Sequence, residues 1–240
     1  MKFPGFCLLI PLCLGFARQA HADDDKLKND APYYGGSYAP ASASATPTFT
    51  PKVRLAVDYG IAHIYGESKD PSSAYSSAAD DLRTGGNLKL SGAYMLAPKL
   101  GLGVAYSHFT SNASISDVTY NRVVLGNLDI DLTVDFIGAI LAFRSGSSGA
   151  VWTTSIMLGQ SSYDQKFDFT DLGIATSAKG TGFGLGASFG GEYYFNPHVS
   201  LGIEVNSFQS NIKNIKVQGQ DAGSNDVSNI GASGGLRVYL

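Results

Sequence analysis

The sequence predicts an all-β fold: an eight-stranded antiparallel up-and-down transmembrane β-barrel with short periplasmic turns and four long extracellular loops. Three observations carry that expectation. After residue 51 the chain falls into eight segments that alternate large apolar with small or polar side chains, and strand side chains point to opposite faces in turn. The connections between these segments alternate short and long, the rhythm of outer-membrane barrels. The N-terminus reads as an export signal.

That signal occupies residues 1–22. Lys2 supplies a basic start, residues 6–16 an apolar stretch, and Ala20-His21-Ala22 a cleavage site, followed by Asp23-Asp24-Asp25-Lys26. The apolar stretch is too short to cross a bilayer, which takes about 20 residues. Cys7 and Cys13 both lie within it, so the mature chain is expected to hold neither a disulfide nor a thiol. Cys13 follows Ile10-Pro11-Leu12 rather than the small residue that lipidation wants. Charged residues make up 15% of the chain, well under the usual quarter or so. With 11% aromatics and 29 glycines, this composition suits a bilayer-embedded β-protein. The formal charge of −3 gives no reason to expect nucleic acid. Residues 23–51 are rich in Pro, Ala, Ser and Thr and read as a flexible periplasmic linker. The barrel is expected over residues 52–240.

The first strand, residues 52–65, puts Val53, Leu55, Val57, Tyr59, Ile61, His63 and Tyr65 on one face and Arg54, Ala56, Asp58, Gly60 and Ala62 on the other. The second, 86–96, points Leu88, Leu90, Tyr94 and Leu96 outward and Asn87, Lys89, Ser91 and Ala93 inward. The third, 100–109, sets Leu102, Val104 and Tyr106 over Gly101, Gly103, Ala105 and Ser107. In the fourth, 129–144, Ile130, Leu132, Val134 and Phe136 alternate with Asp129, Asp131, Thr133 and Asp135. Its second half loses clean alternation, which predicts a bulge or a broad inner contact. The fifth alternates Trp152, Thr154, Ile156 and Leu158 with Thr153, Ser155, Met157 and Gly159. The sixth, 181–195, points Phe183, Leu185, Phe189, Tyr193 and Phe195 outward over an inner row of glycines, Ser188 and Glu192. The seventh sets Leu201, Ile203 and Val205 against Ser200, Gly202, Glu204 and Asn206. The eighth puts Ala232, Gly234, Leu236, Val238 and Leu240 on the lipid face and Gly231, Ser233, Gly235, Arg237 and Tyr239 toward the lumen.

Short turns are expected around residues 97–99, 145–149 and 196–198, and long polar loops at about 66–85, 112–128, 163–178 and 209–225. An even strand number brings both barrel ends to the periplasmic side, beside the linker.

On this signal peptide, hairpin rhythm and terminal Leu236-Arg237-Val238-Tyr239-Leu240, residues 52–240 resemble the small eight-stranded outer-membrane barrels, the group of OmpA-like transmembrane domains and opacity-type surface proteins. Such chains typically end in Phe with an aromatic two positions earlier. Here Leu240 and Val238 take those places, and Tyr239 falls on the other face. No peptidoglycan-binding domain is expected after residue 240, nor the cell-wall tether that some relatives carry. The resemblance implies a bacterial outer-membrane location. It also implies contact with outer-membrane lipid and lipopolysaccharide, and with the barrel assembly machinery and periplasmic chaperones during biogenesis.

Eight charges are expected on the inner face: Arg54, Asp58, Lys89, Asp131, Asp135, Glu192, Glu204 and Arg237. An eight-stranded barrel is about filled by its own side chains, and buried charges must pair. The expectation is therefore a salt-bridge plug, with a selectivity lining or gate as the alternative. The outward aromatics predict two interfacial belts: Tyr94, Trp152, Tyr193 and Phe195 at the inner rim, and Tyr65, Tyr106 and Tyr163 at the outer. His108-Phe109-Thr110-Ser111-Asn112 is similar to the His-x-Ser-Asn element of lipid A deacylases, but its extra residue flips the serine to the opposite face. No glutamate follows within fifteen residues of Ser111, and Asp117 is the only nearby acid. No catalytic residue, cofactor or metal ligand is therefore expected. The chain reads first as a structural or surface-interaction barrel whose loops meet an extracellular partner. A narrow channel for small solutes is the alternative, and a lipid A-modifying enzyme a third.

Overall fold

The structure, a computed structural model, describes residues 51–65, 80–120, 123–146 and 150–240. The expected signal peptide, and the expected linker apart from Pro51, lie outside the described residues, as do residues 66–79 of the first long connection and 147–149 of the second short turn.

Eight antiparallel strands form a closed ring in chain order: β1 (Val53–Tyr65), β2 (Thr84–Ala97), β3 (Leu100–Tyr120), β4 (Val123–Ser145), β5 (Ala150–Phe169), β6 (Ile174–Asn196), β7 (Val199–Val217) and β8 (Gln220–Tyr239). β1 closes on β8 with Arg54 opposite Tyr239 and Tyr65 opposite Ser228. The ring is tied at its short-turn end, where the Leu240 carbonyl accepts from the backbone N–H groups of Lys52 and Val53. At the 196–198 turn, Asn196 Oδ1 caps the N–H groups of His198 and Val199 at 2.8 and 2.9 Å, as short Asx side chains do in turns.

Six of the eight strands run 19–23 residues, about twice the 9–11 that cross a bilayer. The surplus lies at the far end and corrects the loop expectation. Of the spans expected as irregular loops, 112–128, 163–178 and 209–225, most is paired strand. β7 turns into β8 through Gln218 (φ 51°) and Gly219 (φ 82°). Two successive positive φ angles make the turn whose twist matches a hairpin.

The interior changes character along these strands. Near the short turns, apolar residues face out and polar ones face in: on β7, Leu201, Ile203 and Val205 are exposed while Gly202, Glu204 and Asn206 are buried. Further along the same strand, Gln209 and Asn211 face out and Phe208 and Ile212 face in. β3 repeats the switch, from exposed Leu102 and Val104 to buried Phe109, Ala113 and Ile115. Lipid surrounds the first stretch and water the second, so the same pleat obeys opposite rules in the two zones.

This switch overturns the phase expected for β4. Leu128, Ile130, Leu132, Val134 and Phe136 point inward and are buried, so Asp129, Asp131, Thr133 and Asp135 lie on the outer wall. Of the two expectations for 137–143, the bulge is absent, since register with β3 and β5 runs unbroken there, and the broad inner contact is present. Alternation fades because both faces are apolar: Ile137 and Phe143 face out, while Phe136 and Ile140 pack inward against Phe208, Met157 and Ala105.

Candidate functional site: the barrel interior

Three layers fill the lumen. At the short-turn end, Glu192 of β6 accepts from Arg54 Nη2 (2.8 Å), Tyr239 hydroxyl (2.5 Å), Ser200 Oγ (3.1 Å) and Tyr194 hydroxyl (3.3 Å). Arg144 donates to the Tyr194 hydroxyl at 2.5 Å, with its guanidinium carbon 4.6 Å from the Tyr239 ring centroid, within cation–π range. Above this, Arg237 Nη2 lies 2.5 Å from Asp58 Oδ1 as an ion pair without hydrogen-bond alignment. Its Nε is 3.6 Å from Glu192 and its Nη2 3.8 Å from Glu204. Arg237 also donates from Nη1 to the carbonyls of Gly202 (3.0 Å) and Gly235 (2.7 Å). Lys89 donates to Glu204.

Three cations, Arg54, Lys89 and Arg237, thus meet three carboxylates, Asp58, Glu192 and Glu204, and all six are buried. Glycines make the room. A Cβ on Gly202 would lie 2.6 Å from Arg237 Cζ, and one on Gly190 2.8 Å from Glu204 Cβ.

The third layer is the apolar stopper at the hairpin end. Phe109, Ile115, Leu128, Ile130, Leu132, Val134, Tyr163, Ile212, Ile215 and Val227 form one buried cluster, joined by Leu82 from a short helical turn at residues 80–83. Ser111 Oγ anchors that turn on the Leu82 carbonyl at 2.6 Å.

Of the eight charges expected inside, Asp131 and Asp135 are on the outer wall instead, for the reason given above. Tyr163 is the matching correction among the aromatics. It lies an odd number of residues from Trp152, so the pleat turns it inward, where it is 9% exposed. Tyr65, Tyr94, Trp152, Tyr193 and Phe195 are exposed on the outer wall, with Trp152 stacked on Phe189 at 5.6 Å and Tyr193 edge-on to Phe195 at 5.8 Å. Tyr106 also faces out, half-buried. Arg144 and Tyr194 belong to the interior cluster and were not expected there. Counting in twos from inward Phe136 reaches Arg144, and from inward Glu192 reaches Tyr194. Among the described residues, no group of three or more metal-ligating side chains converges.

The family model for the outer membrane protein beta-barrel domain matches residues 14–235. The chain belongs to this family. It is a bacterial outer-membrane protein, and its apolar wall meets membrane lipid. Neisserial surface protein A (NspA) shares the fold at a TM-score of 0.51 and 17% identity, covering 79% of this chain and 97% of that one. Ail, the attachment invasion locus protein of Yersinia pestis, aligns at 13% identity with a TM-score of 0.45 over 79% of this chain and 99% of its own. OprG from Pseudomonas aeruginosa aligns at 15% identity and 0.42 over 79% and 97%. No curated protein matches the sequence significantly.

Proposed function

We propose that this outer-membrane barrel is a closed scaffold whose work is done outside, on its extracellular hairpins, as a structural or surface-interaction protein. The observation that carries the reading is the double stopper. An ionic plug fills the lower lumen, and a separate apolar core fills the upper one. Two cavities beside Lys89, one lined with Arg54, Ser155 and Glu204 and the other with Asn87, Asn206 and Asn229, are about 10 Å³ each, room for roughly one water. The mature barrel begins at residue 52, behind a cleaved signal peptide and a periplasmic linker. The outward aromatics anchor it at the two interfaces among outer-membrane lipid and lipopolysaccharide, and the barrel assembly machinery and periplasmic chaperones are its partners on the way in.

The same two cavities favour a second reading, a narrow channel. Lys89 lines both, so its bridge to Glu204 stands where a water path would have to pass. The test is to shorten the β5–β6 and β7–β8 hairpins in cells displaying the protein and to measure adhesion to matrix and host-cell surfaces. Loss of adhesion with the barrel still folded supports the scaffold reading. Adhesion equal to that of cells lacking the protein, before any truncation, overturns it.

A further inference from the structure

The lower lumen holds one more cation than carboxylates. Arg54, Lys89 and Arg237 are met by Glu192, Glu204 and Asp58. Arg144 is the fourth cation, and among the described residues no carboxylate lies within ion-pair distance of it. Neutral groups fix its guanidinium instead. Nη2 donates to the Tyr194 hydroxyl, and the Tyr239 and Tyr194 ring centroids lie 4.6 and 5.6 Å from the guanidinium carbon. The Nε–H is buried and has no acceptor among the described residues. A buried donor without an acceptor is costly, and a buried charge without a counter-charge more so.

The cavity beside Arg144 has the chemistry to supply both. Arg144 lines the space of about 10 Å³ together with Arg54, Lys89, Ser155, Ser188 and Glu204. Strand register explains the grouping. Arg144 of β4 lies across from Thr153 of β5, Ala142 across from Ser155, and Ser155 across from Ser188 of β6. The Ser155 and Ser188 hydroxyls are 2.7 Å apart. One of their two protons serves that bond, so the other is free to donate to a third partner. The lining therefore carries three cations, one hydroxyl proton in excess, and a single carboxylate, Glu204, which Lys89 already engages.

These properties select the occupant. An excess of positive charge in a low-dielectric interior favours an anion over neutral water. Charge-assisted hydrogen bonds from a guanidinium are the strong kind. A volume of about one water excludes carboxylates, phosphates and other polyatomic anions. Arg144 is half-buried at the short-turn end, and its backbone N–H donates to the Lys99 carbonyl in the neighbouring turn, so the route of entry is periplasmic.

We infer that this cavity is a binding site for one monatomic anion, chloride, recognised by Arg144 Nε, Arg54, Lys89 and the Ser155–Ser188 pair. The ion brings the lower lumen to neutrality, with four cations against three carboxylates and one chloride. The site is independent of the surface-interaction reading.

The test uses the refolded protein in phosphatidylcholine vesicles, with sodium chloride exchanged for sodium gluconate at constant ionic strength. Urea unfolding is followed by Trp152 fluorescence. The unfolding constant should fall by the factor 1 + [Cl⁻]/Kd, about tenfold when chloride is about nine times its Kd. Arg144→Gln and Ser155→Ala should flatten that response, and Asp131→Ala should keep it. A heat-modifiability gel confirms folding of each variant. Crystals of the wild-type protein soaked in sodium bromide should show an anomalous bromide peak within hydrogen-bond reach of Arg144 Nε. Equal stability of the folded wild-type protein in chloride and gluconate overturns the inference, as does an undiminished chloride response in Arg144→Gln. If Arg144→Gln does not fold, Ser155→Ala and the bromide peak decide, and absence of bromide from the cavity overturns the inference whatever the urea result.

Discussion

Replacing Glu192 by alanine removes the carboxylate on which the lower lumen converges. Four hydrogen bonds end on it, from Arg54, Tyr239, Ser200 and Tyr194, and Arg237 Nε lies 3.6 Å away. Without it, Arg54 loses its carboxylate contact, and Arg237 keeps only Asp58 and the more distant Glu204. Breaking one side of a buried ion pair costs about 3–5 kcal/mol, because the remaining charge is left uncompensated. At about 1.4 kcal/mol per decade, the unfolding constant rises roughly 10²- to 10⁴-fold. The chain has a single tryptophan, Trp152, exposed on the outer wall. Its fluorescence on leaving the bilayer therefore reports unfolding in urea-treated vesicles. Asp131→Ala, on the outer wall, is the matched control and should change stability by no more than about 0.5 kcal/mol. If Glu192→Ala were as stable as Asp131→Ala, the interior charges would not be coupled as the distances indicate.

Gly202→Ala should push the Arg237 guanidinium aside and cost about 1–3 kcal/mol as overpacking, whereas Gly234→Ala, with no neighbour closer than 3.6 Å, should leave the urea midpoint unchanged. Ile212→Ala, at a site with no exposure, should cost about 2–5 kcal/mol in the same assay. Val134→Asp should destabilise the barrel while Thr133→Asp is tolerated, the reverse of what a single lumen-in rule along β4 predicts; protection of each variant from protease distinguishes them. Gln218→Val places a β-branched side chain at φ 51°, where left-handed geometry costs roughly 1–2 kcal/mol, and should lower the urea midpoint, while Gln218→Asn raises it.

How much of this was legible depends on the zone of the strand. Within the bilayer, period-two patterning assigned β1, β2, the first halves of β3, β5 and β7, and β6 and β8 to the correct faces, because lipid and packed lumen impose one rule on every strand. Arg54, Asp58, Lys89, Glu192, Glu204 and Arg237 followed from that rule. Beyond the bilayer it inverts, and a sequence carries no mark of where the water begins. Ile130-Asp131-Leu132 alternates as well with apolar side chains out as with them in. Asp131 and Asp135 were therefore placed inside when the structure puts them outside. The polar residues of 112–128, 163–178 and 209–225 looked like loops for the same reason, since they are the watered faces of paired hairpins. The Ser155–Ser188 pair was hidden because it joins residues 33 apart in sequence through strand register, and register is invisible until the barrel is closed.

Conductance across a planar bilayer tests the closed lumen most directly. Folded wild-type protein should be silent, and so should Lys89→Ala, because the apolar stopper around Phe109, Leu132 and Ile212 remains after the ionic plug is broken. Steady current steps from either protein would show a continuous water path through the barrel and contradict the account.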